Sequence, residues 1–370
     1  MKVLLVIDSL GSGGAQRLMV YLAKGLINNG NKVDVFIYNT NYNFFREDIE
    51  SMGVKIYTST LKKKYLKPIS IIYSLRKTLN NNYDIVISLM HMPSVYSAFS
   101  CIGLFQTKLI VCELSSSNAP ISFFKRLLFY LASLLSFKVV ANSFTEKINI
   151  EKRPRLSGKV EAIWNGYEIN KMKFKLSKND NKLKTLLIVG RVAYPKNGLN
   201  LLKAIKLFID NNGWSPKFVW AGRDDIDQRS INMQEKMKKY LDDNPQVKSK
   251  IDFIGEVKNI KQLYHSSDAL IHPSIYEGLP NVICEAMLLG CNVIASNVCD
   301  HPIILKNERG LLFDPKLPES ICKTIEKFNL MDINQRNKMA IKAREFAENN
   351  FTINQMAISF EKISKYGIKK

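Results

Sequence analysis

The sequence predicts an α/β protein of two domains, each a mostly parallel sheet with helices between its strands. Three observations lead to this fold class. Short apolar runs alternate along the chain with segments of helical apolar spacing. A polar, lysine-rich stretch, Tyr167–Lys184, interrupts the alternation, which restarts at Thr185 and indicates a linker between domains. The length of 370 residues also suits two domains of ordinary size.

The first half opens with a strand, a glycine loop and a helix. Val3–Asp8 is apolar like a buried parallel strand, Ser9–Gly14 (SLGSGG) is the loop, and Gln16–Asn28 has helical apolar spacing. The loop either admits a phosphate or simply lets helix and strand pack closely. The dinucleotide fingerprint is incomplete, so the loop alone does not decide between these two roles. Further strands are predicted at Val33–Tyr38, Val54–Tyr57, Asp84–Met90, Lys108–Cys112, Lys138–Ala141 and Lys159–Ile163, and helices at Pro68–Asn80 and Ser122–Ser136.

Polar residues follow several of these strands. Parallel strands end at one edge of their sheet, and ligands of such sheets bind beyond that edge. We therefore expect a functional edge in the first domain. Its candidates are Gly13, Gly14, His91, Glu113, Ser143 and Asn165.

The second half repeats the alternation. Predicted strands are Thr185–Gly190, Lys217–Ala221, Ile251–Gly255, Ala269–His272, Asn292–Ala295 and Gly310–Phe313, and predicted helices are Asn197–Asn211, Ser230–Leu241, Ile260–Ser266 and Asn281–Leu289. Glu319–Ile368 reads as helical throughout. The predicted domains are 1–170 and 180–351, with a last helix at about 352–370 packing back on the first.

The stretch Ile271–Gly290 carries the strongest chemical signal. A strand breaks at Pro273, turns through a glycine, and resumes as a helix that starts after Pro280 and ends at Gly290. A helix N-terminus suits an anion such as a diphosphate. Glu277 and Glu285 beside it would repel that anion, so they fit a ligand that also brings hydroxyl groups, as a nucleotide sugar does.

Composition narrows the protein class. The net charge is +21, with 24 basic and 11 acidic residues up to Lys175 and 30 and 22 after it. A basic surface attracts nucleic acid, anionic lipid or phosphorylated substrates, or serves solubility alone. The apolar segment Met1–Leu10 is interrupted by Asp8, so we do not expect it to be a secretory signal. The apolar run Leu127–Phe137 is much shorter than the ~20 residues of a membrane-spanning helix.

Cysteine and histidine usage predicts no metal centre. The six cysteines include no Cys-x-x-Cys pair, which favours free thiols in a reducing cytosol. The four histidines are scattered, and no cluster has metal-ligand spacing. We expect neither a metal nor another cofactor, and we interpret His265, His272 and His301 as structural.

Five motifs together resemble retaining glycosyltransferases of family 4, which have the GT-B fold: two Rossmann-like parallel-sheet domains facing across a cleft, with C-terminal helices returning toward the N-terminal domain. The motifs are GSGGAQR, ANSF, WNGY, GRVAYPKNG and SIYEGLPNVICEAM, and they span nearly the whole chain. Two departures stand out. The family often has an acid where Gln16 stands, and commonly one at Ile303–Ile304.

The resemblance implies a role for each donor-side residue. Arg191 and Lys196, after Gly190, would neutralise the departing nucleotide diphosphate without a metal. Glu285 would accept hydrogen bonds from the ribose, and Glu277 would hold the donor sugar. The remaining donor-binding positions would act through backbone or apolar contact: Gly13 and Gly14 near the diphosphate, Gly278, Leu279, Pro280 and Asn281 near sugar and phosphate, and Val257 near the base.

The resemblance also implies the first domain's contacts. His91 would contact the donor sugar or the acceptor as a fourth catalytic residue, unless it is simply a hydrogen-bonded loop histidine. Glu113 resembles the subset acting on lipid-linked oligosaccharides, although it could equally cap a helix. Ser143 and Asn165 complete the expected acceptor side.

The predicted function is transfer of a hexose or N-acetylhexosamine, with retention of anomeric configuration, from a nucleotide sugar to a polyprenyl-diphosphate-linked glycan. UDP-sugars are the favoured donors, and surface polysaccharide (O-antigen, capsule or exopolysaccharide) is the expected product. Two alternatives remain. One keeps the fold in a nucleotide-sugar epimerase or phosphorylase, and the other is a basic nucleic-acid-binding protein, which needs neither Glu277 nor Glu285.

Two segments predict that the protein is cytoplasmic and binds peripherally to the inner face of the cell membrane. Ile121–Phe137 (ISFFKRLLFYLASLLSF) is apolar over most of its surface, and Leu61–Lys67 (LKKKYLK) adds four lysines. Basic groups beside exposed apolar side chains bind an anionic leaflet at its interface without spanning it. The alternatives are a core helix and a solvated loop. No nucleic-acid partner is expected.

Overall fold

Two parallel sheets organise the chain. The computed structural model describes residues 1–59, 67–114, 121–176 and 183–365. The chain divides into one unit of Met1–Glu168 with Phe351–Lys370 and another of Ile169–Asn350. Each unit is an α/β domain with a parallel sheet, as the sequence predicts.

The first unit contains a seven-stranded sheet in the order β3-β2-β1-β4-β5-β6-β7. Both faces of its central strands are buried: Val3 and Leu5 of β1 pack into one apolar cluster, and Leu4 and Val6 into the other. This explains why the strands read as continuous apolar runs. The strands are Lys2–Ile7 (β1), Lys32–Ile37 (β2), Lys55–Thr58 (β3), Ile85–Leu89 (β4), Lys108–Glu113 (β5), Lys138–Ala141 (β6) and Val160–Ala162 (β7).

Helices cover both faces of this sheet. In the described part of the first unit they are Gly14–Asn28 (α1), Arg46–Glu50 (α2), Lys67–Leu79 (α3), His91–Cys101 (α4), Phe123–Leu135 (α5) and Phe144–Glu151 (α6). The sequence pattern gives α1, α3 and α5, but it does not give the two short helices or α4. Strand β4 ends at Leu89, and Met90 turns the chain through a positive φ of 78° directly into α4, so His91 is a first helical residue.

The second unit contains a six-stranded parallel sheet in the order β10-β9-β8-β11-β12-β13. Its strands are Thr185–Val189 (β8), Lys217–Ala221 (β9), Ile251–Gly255 (β10), Ala269–His272 (β11), Asn292–Ser296 (β12) and Leu311–Phe313 (β13). Its helices are Gly198–Asn212 (α7), Gln228–Asp243 (α8), Pro245–Lys248 (α9), Ile260–Ser266 (α10), Asn281–Leu289 (α11), His301–Leu305 (α12), Pro318–Leu330 (α13) and Ile333–Asn350 (α14).

The last helix, Ile353–Lys365 (α15), belongs to the first unit, where it packs on α1. Gly25 makes this approach possible. A methyl group at Gly25 would lie 2.8 Å from both the Ala357 Cβ and the Ile353 carbonyl oxygen. The C-terminal return that the GT-B resemblance implies is therefore built on a glycine contact.

The predicted linker is partly packed. Residues 177–182 of it lie outside the described part of the chain. In the remainder, the backbone N–H of Lys175 donates to the Leu289 carbonyl at 3.2 Å, and Phe174 lies against Gly290. The region predicted as one helical stretch over Glu319–Ile368 is three helices as far as Lys365.

We predict that Gly25→Ala destabilises the first unit by roughly 1–3 kcal/mol, because overpacking has costs of that size. Helix propensity alone would give the opposite sign, since alanine is favoured over glycine in a helix by about 1 kcal/mol. Scanning calorimetry measures the change. Asn28→Ala, at the exposed end of the same helix, is the control; an unchanged or raised Tm for Gly25→Ala would contradict the packing argument.

Candidate active site

Lys196 sits on a short 3₁₀ turn, Tyr194–Lys196, between β8 and α7. Its Nζ lies 2.5 Å from Oε1 of Glu277, and both side chains are mostly buried. Gly190 makes room for the lysine: its φ is +133°, and a methyl group there would meet the Lys196 Cε at 3.0 Å. Glycine is thus required after β8 for two reasons: its positive φ, and the absence of room for a side chain beside Lys196.

A second glycine, Gly222, brings strand β9 against the same loop. A methyl group at Gly222 would lie only 2.0 Å from the Gly190 carbonyl oxygen. The Trp220 Nε1–H donates to that oxygen at 2.8 Å. The backbone from which Arg191 projects is therefore held from both sides.

Arg191 is more than half exposed, and one of its guanidinium nitrogens lies 2.8 Å from Oδ2 of Asp225. The sequence pattern does not predict this partner, because Asp225 follows a different strand, β9. An exposed arginine held by one carboxylate keeps further N–H donors for an anionic ligand.

Glu277 lies in the loop between β11 and α11 and is held by three neighbours. Besides Lys196, the His272 Nε2 lies 3.2 Å from the same Oε1. The Glu277 backbone N–H and carbonyl both contact the Cys299 Sγ at 3.0 Å. Burial alone would raise the pKa of Glu277, but Lys196 and His272 outweigh it and hold the pKa well below its usual value, so the carboxylate is ionised.

Two buried histidines lie behind Glu277. The sequence gives His272 and His301 structural roles, yet the structure puts His272 in the site. Their rings meet edge to face with centroids 5.4 Å apart. Burial first, and then His272, lowers the pKa of His301 to about 3, while burial and Lys196 lower that of His272. Both imidazoles are therefore neutral.

Glu285 lies in the middle of α11, eight residues after Glu277. The Tyr264 hydroxyl, from α10, lies 3.3 Å from Oε2 of Glu285 and 3.3 Å from the Val282 carbonyl. Burial, followed by the nearby Glu285, raises the pKa of Tyr264 well above its usual value, so the hydroxyl stays protonated and donates. It fixes the orientation of the carboxylate.

The remaining predicted donor residues of the second unit lie at the start of α11 and after β10. Leu279 and Pro280 are buried, while Gly278 and Asn281 are half-buried at the start of α11. Val257, also half-buried, follows β10 by two residues. At the family's missing acid, the carbonyls of Ile303 and Ile304 accept hydrogen bonds from Arg309.

The glycine loop of the first unit leads into α1. Gly13 and Gly14 are exposed, with Gly13 in an extended conformation just before the helix. Gln16, which replaces the family's acid, is buried and donates from Nε2 to Oδ1 of Asp8 at 2.9 Å. A carboxylate therefore stands beside the loop after all, contributed by Asp8 from the end of β1.

His91 and Glu113 form a pair in the first unit. The His91 Nε2 lies 2.7 Å from Oε2 of Glu113, and the His91 ring packs edge to face on Phe129. His91 and Asp8 also line a cavity of about 340 Å³ together with Lys125. Glu113 is buried, and its contact with His91 fixes the orientation of the histidine ring.

The other two predicted acceptor residues are buried. The Ser143 hydroxyl accepts from the Glu146 backbone N–H at 3.2 Å and so caps α6. Asn165 follows β7 by three residues. The acceptor roles of Glu113, Ser143 and Asn165 stay predictions, as does the catalytic role of His91.

The described residues offer neither a metal-binding cluster nor a membrane-spanning helix. No group of three His, Cys, Asp or Glu side chains is arranged to hold a metal ion there. No helix in the same part of the chain is long and apolar enough to cross a membrane.

Comparisons with known proteins relate the chain to glycosyltransferases. The Glycosyltransferase Family 4 model matches residues 12–171, and the Glycosyl transferases group 1 model matches residues 168–346. The fold resembles that of HepE from Anabaena, solved in complex with UDP and glucose, with a TM-score of 0.80, 18% identity, and coverage of 99% of this chain and 100% of that one.

Two curated relatives match over most of their length. One is the N-acetylgalactosaminyltransferase of Campylobacter jejuni that acts on a diphosphoundecaprenol-linked GalNAc-GalNAc-diNAcBac glycan, 27% identical over 93% of both chains. The other is the capsular polysaccharide biosynthesis glycosyltransferase CapH of Staphylococcus aureus, 24% identical over 88% of this chain and 90% of the relative. Two family models in succession along residues 12–346, on a GT-B fold, show that the chain belongs to the glycosyltransferases, with a family 4 domain followed by a group 1 domain.

Proposed function

We propose that the chain transfers a hexose or an N-acetylhexosamine from a UDP-sugar to a polyprenyl-diphosphate-linked glycan of a surface polysaccharide, with retention of configuration. The observation that carries the proposal is the Lys196–Glu277 pair: a cation and a carboxylate, both mostly buried, on adjoining loops beyond the sheet of the second unit. UDP in HepE and the undecaprenol-linked and capsular glycans of the relatives support the donor and acceptor classes.

The two cations serve the leaving group. In the reaction, the bond between the anomeric carbon and the phosphate oxygen breaks, and negative charge grows on the diphosphate. In this proposal, Arg191 and Lys196 stabilise that negative charge without a metal. Fixed electrostatic stabilisation of this kind dominates such transition states. Lys196 leaves Glu277 for the diphosphate as it stabilises this charge.

The two glutamates divide the donor between them. Glu285, held by Tyr264, accepts hydrogen bonds from the ribose, and Glu277 accepts them from the sugar. Retention then follows from attack on the face that the diphosphate leaves. The acceptor oxygen bonds to the anomeric carbon, and its proton passes to an oxygen of the departing diphosphate, so no enzyme nucleophile is required.

A membrane surface fits the described part of the predicted amphipathic segment. Helix α5 exposes Phe123 by 82% and Phe124 by 66%, and Leu127, Leu131 and Leu135 continue along the helix with at least two-fifths of each side chain exposed. Lys125 and Arg126 lie between them. We propose that α5 rests on an anionic leaflet, where a polyprenyl-linked acceptor is held. Residues 61–66 of the lysine-rich segment lie outside the described residues.

We predict that Lys196→Ala lowers turnover about a hundredfold, roughly 3 kcal/mol in the barrier, because the charge is needed most when the diphosphate leaves. Nucleotide release from a panel of UDP-sugars measures it. Lys206→Ala, which breaks only a surface pair with Asp210, is the control. EDTA in the same assay should leave turnover unchanged; near-normal turnover of Lys196→Ala, or EDTA inhibition reversed by manganese, would contradict the proposal.

We predict that the glutamate variants separate by ligand. Glu285→Gln weakens binding of UDP and UDP-sugar alike, because both contain ribose. Glu277→Gln spares UDP and weakens the UDP-sugar. Titration calorimetry with each ligand measures this, and equal losses for both ligands in both variants would refute the division.

We predict that the chain co-sediments with vesicles containing anionic lipid, and that salt weakens the binding. Replacing Phe123 and Phe124 with serine removes the two most exposed apolar side chains of α5 and should release the protein from the vesicles. Replacing Lys62, Lys63 and Lys64 with glutamate should release it as well. Leu330→Ser, an equally exposed apolar side chain of the second unit, is the control. Wild-type protein that stays in the supernatant at low salt would exclude the membrane surface and favour a soluble acceptor.

A further inference from the structure

The environment of Glu277 is asymmetric at its two carboxylate oxygens. Lys196 Nζ and His272 Nε2 both approach Oε1, at 2.5 and 3.2 Å. No contact to Oε2 is found among the described residues. One oxygen is therefore anchored to the protein, and the other is left to accept from a ligand hydroxyl.

His272 is fully buried, and its ring nitrogens are poorly hydrogen-bonded among the described residues. Although its Nε2 lies within reach of Oε1, neither ring nitrogen makes a well-aligned hydrogen bond within the part of the chain that the structure describes. Buried polar groups without partners are rare, because each costs free energy. Of the two contacts to Oε1, that of Lys196 is the shorter.

The second histidine fixes the first. The His301 Nδ1 lies 2.8 Å from the Ser296 carbonyl oxygen, so that nitrogen carries its proton, and the Ser296 hydroxyl donates onward to the Ser274 carbonyl at 2.6 Å. The His301 ring then packs edge to face on His272. His272 cannot turn without breaking this arrangement.

The carboxylate also selects the tautomer of His272. A bare Nε2 lone pair facing the ionised Oε1 would be repelled, whereas an Nε2–H is attracted. The imidazole is neutral, so its single proton belongs on Nε2. His272 is thus a neutral donor whose Nε2–H lies close to Glu277 and is available to bond it.

We propose that His272 is a positioning residue that takes over Oε1 of Glu277 when the donor diphosphate draws Lys196 away, and so keeps Oε2 directed at a hydroxyl of the transferred sugar. This inference rests on the proposed function. It explains why a lysine can serve both the carboxylate and the diphosphate without releasing Glu277 each time the site is filled.

Two variants at one position test the proposal. In His272→Gln the side-chain amide nitrogen reaches the place of Nε2, whereas in His272→Asn it reaches only that of Nδ1. Both leave a buried amide, so a purely structural effect would be shared. His265→Asn, at a histidine bonded to the Lys173 carbonyl, is the control.

The probes are UDP and the sugar that stabilises the wild-type chain most among UDP-glucose, UDP-galactose, UDP-N-acetylglucosamine and UDP-N-acetylgalactosamine. We expect His272→Asn to weaken the UDP-sugar and lower kcat/KM by roughly tenfold or more, as for loss of a hydrogen bond to a charged group, with UDP binding unchanged. His272→Gln should recover most of the loss. Wild-type behaviour of His272→Asn, or equal loss of UDP and UDP-sugar in both variants, would overturn the proposal.

A measurement without any donor separates this inference from the proposed function. The chain has four histidines, so nitrogen-15 histidine spectra can be assigned with single variants. We expect His272 to be neutral with its proton on Nε2 at pH 7 to 8, and its ring signals to move in Glu277→Gln. A proton on Nδ1 would overturn the positioning role, whether or not any UDP-sugar binds.

Discussion

The mostly buried pair of Lys196 and Glu277 is the interaction on which the site of the second unit depends. It joins a loop after β8 to a loop after β11, and the Ile275 N–H reinforces the junction by donating to the Pro195 carbonyl at 2.9 Å. Removing one partner costs free energy, because it leaves the other charge unpaired in a place largely shielded from water. The two loops therefore hold one arrangement, and the glycines that crowd them serve that arrangement.

The site also combines opposite requirements. A diphosphate needs cations, while sugar and ribose hydroxyls need acceptors, and the second unit supplies both within one set of loops. Each carboxylate has its own protein donors: His272 for Glu277 and Tyr264 for Glu285. A nucleic-acid binder would need no such carboxylates, and membership in the glycosyltransferase family favours transfer over the epimerase and phosphorylase alternatives.

Much of the architecture follows from sequence because apolar runs in doubly covered parallel sheets are unmistakable, and motif spacing finds Lys196, Glu277 and Glu285. The partners of these residues were not predictable. Asp225 reaches Arg191 from a different strand, β9, so this contact depends on sheet order. His272 ends β11, only five residues before Glu277, but the contact between them depends on how the intervening loop folds back. Helix α4 is not predictable in the same way, because the chain turns into it through a positive φ at Met90. Methionine is not a residue type that indicates such a turn.

The hydrogen bond between Gln16 and Asp8 ties two positions of the first unit together. If an acid stood at position 16, as the resemblance to the family implies for many members, a second carboxylate would lie at about hydrogen-bond distance from Asp8, and the two like charges would repel each other. The Gln16 amide instead donates to Asp8, so the glycine loop has one carboxylate without a second beside it. Among homologues, exchange of glutamine for an acid at position 16 should accompany loss of the acid at position 8, so the two sites would evolve as one unit.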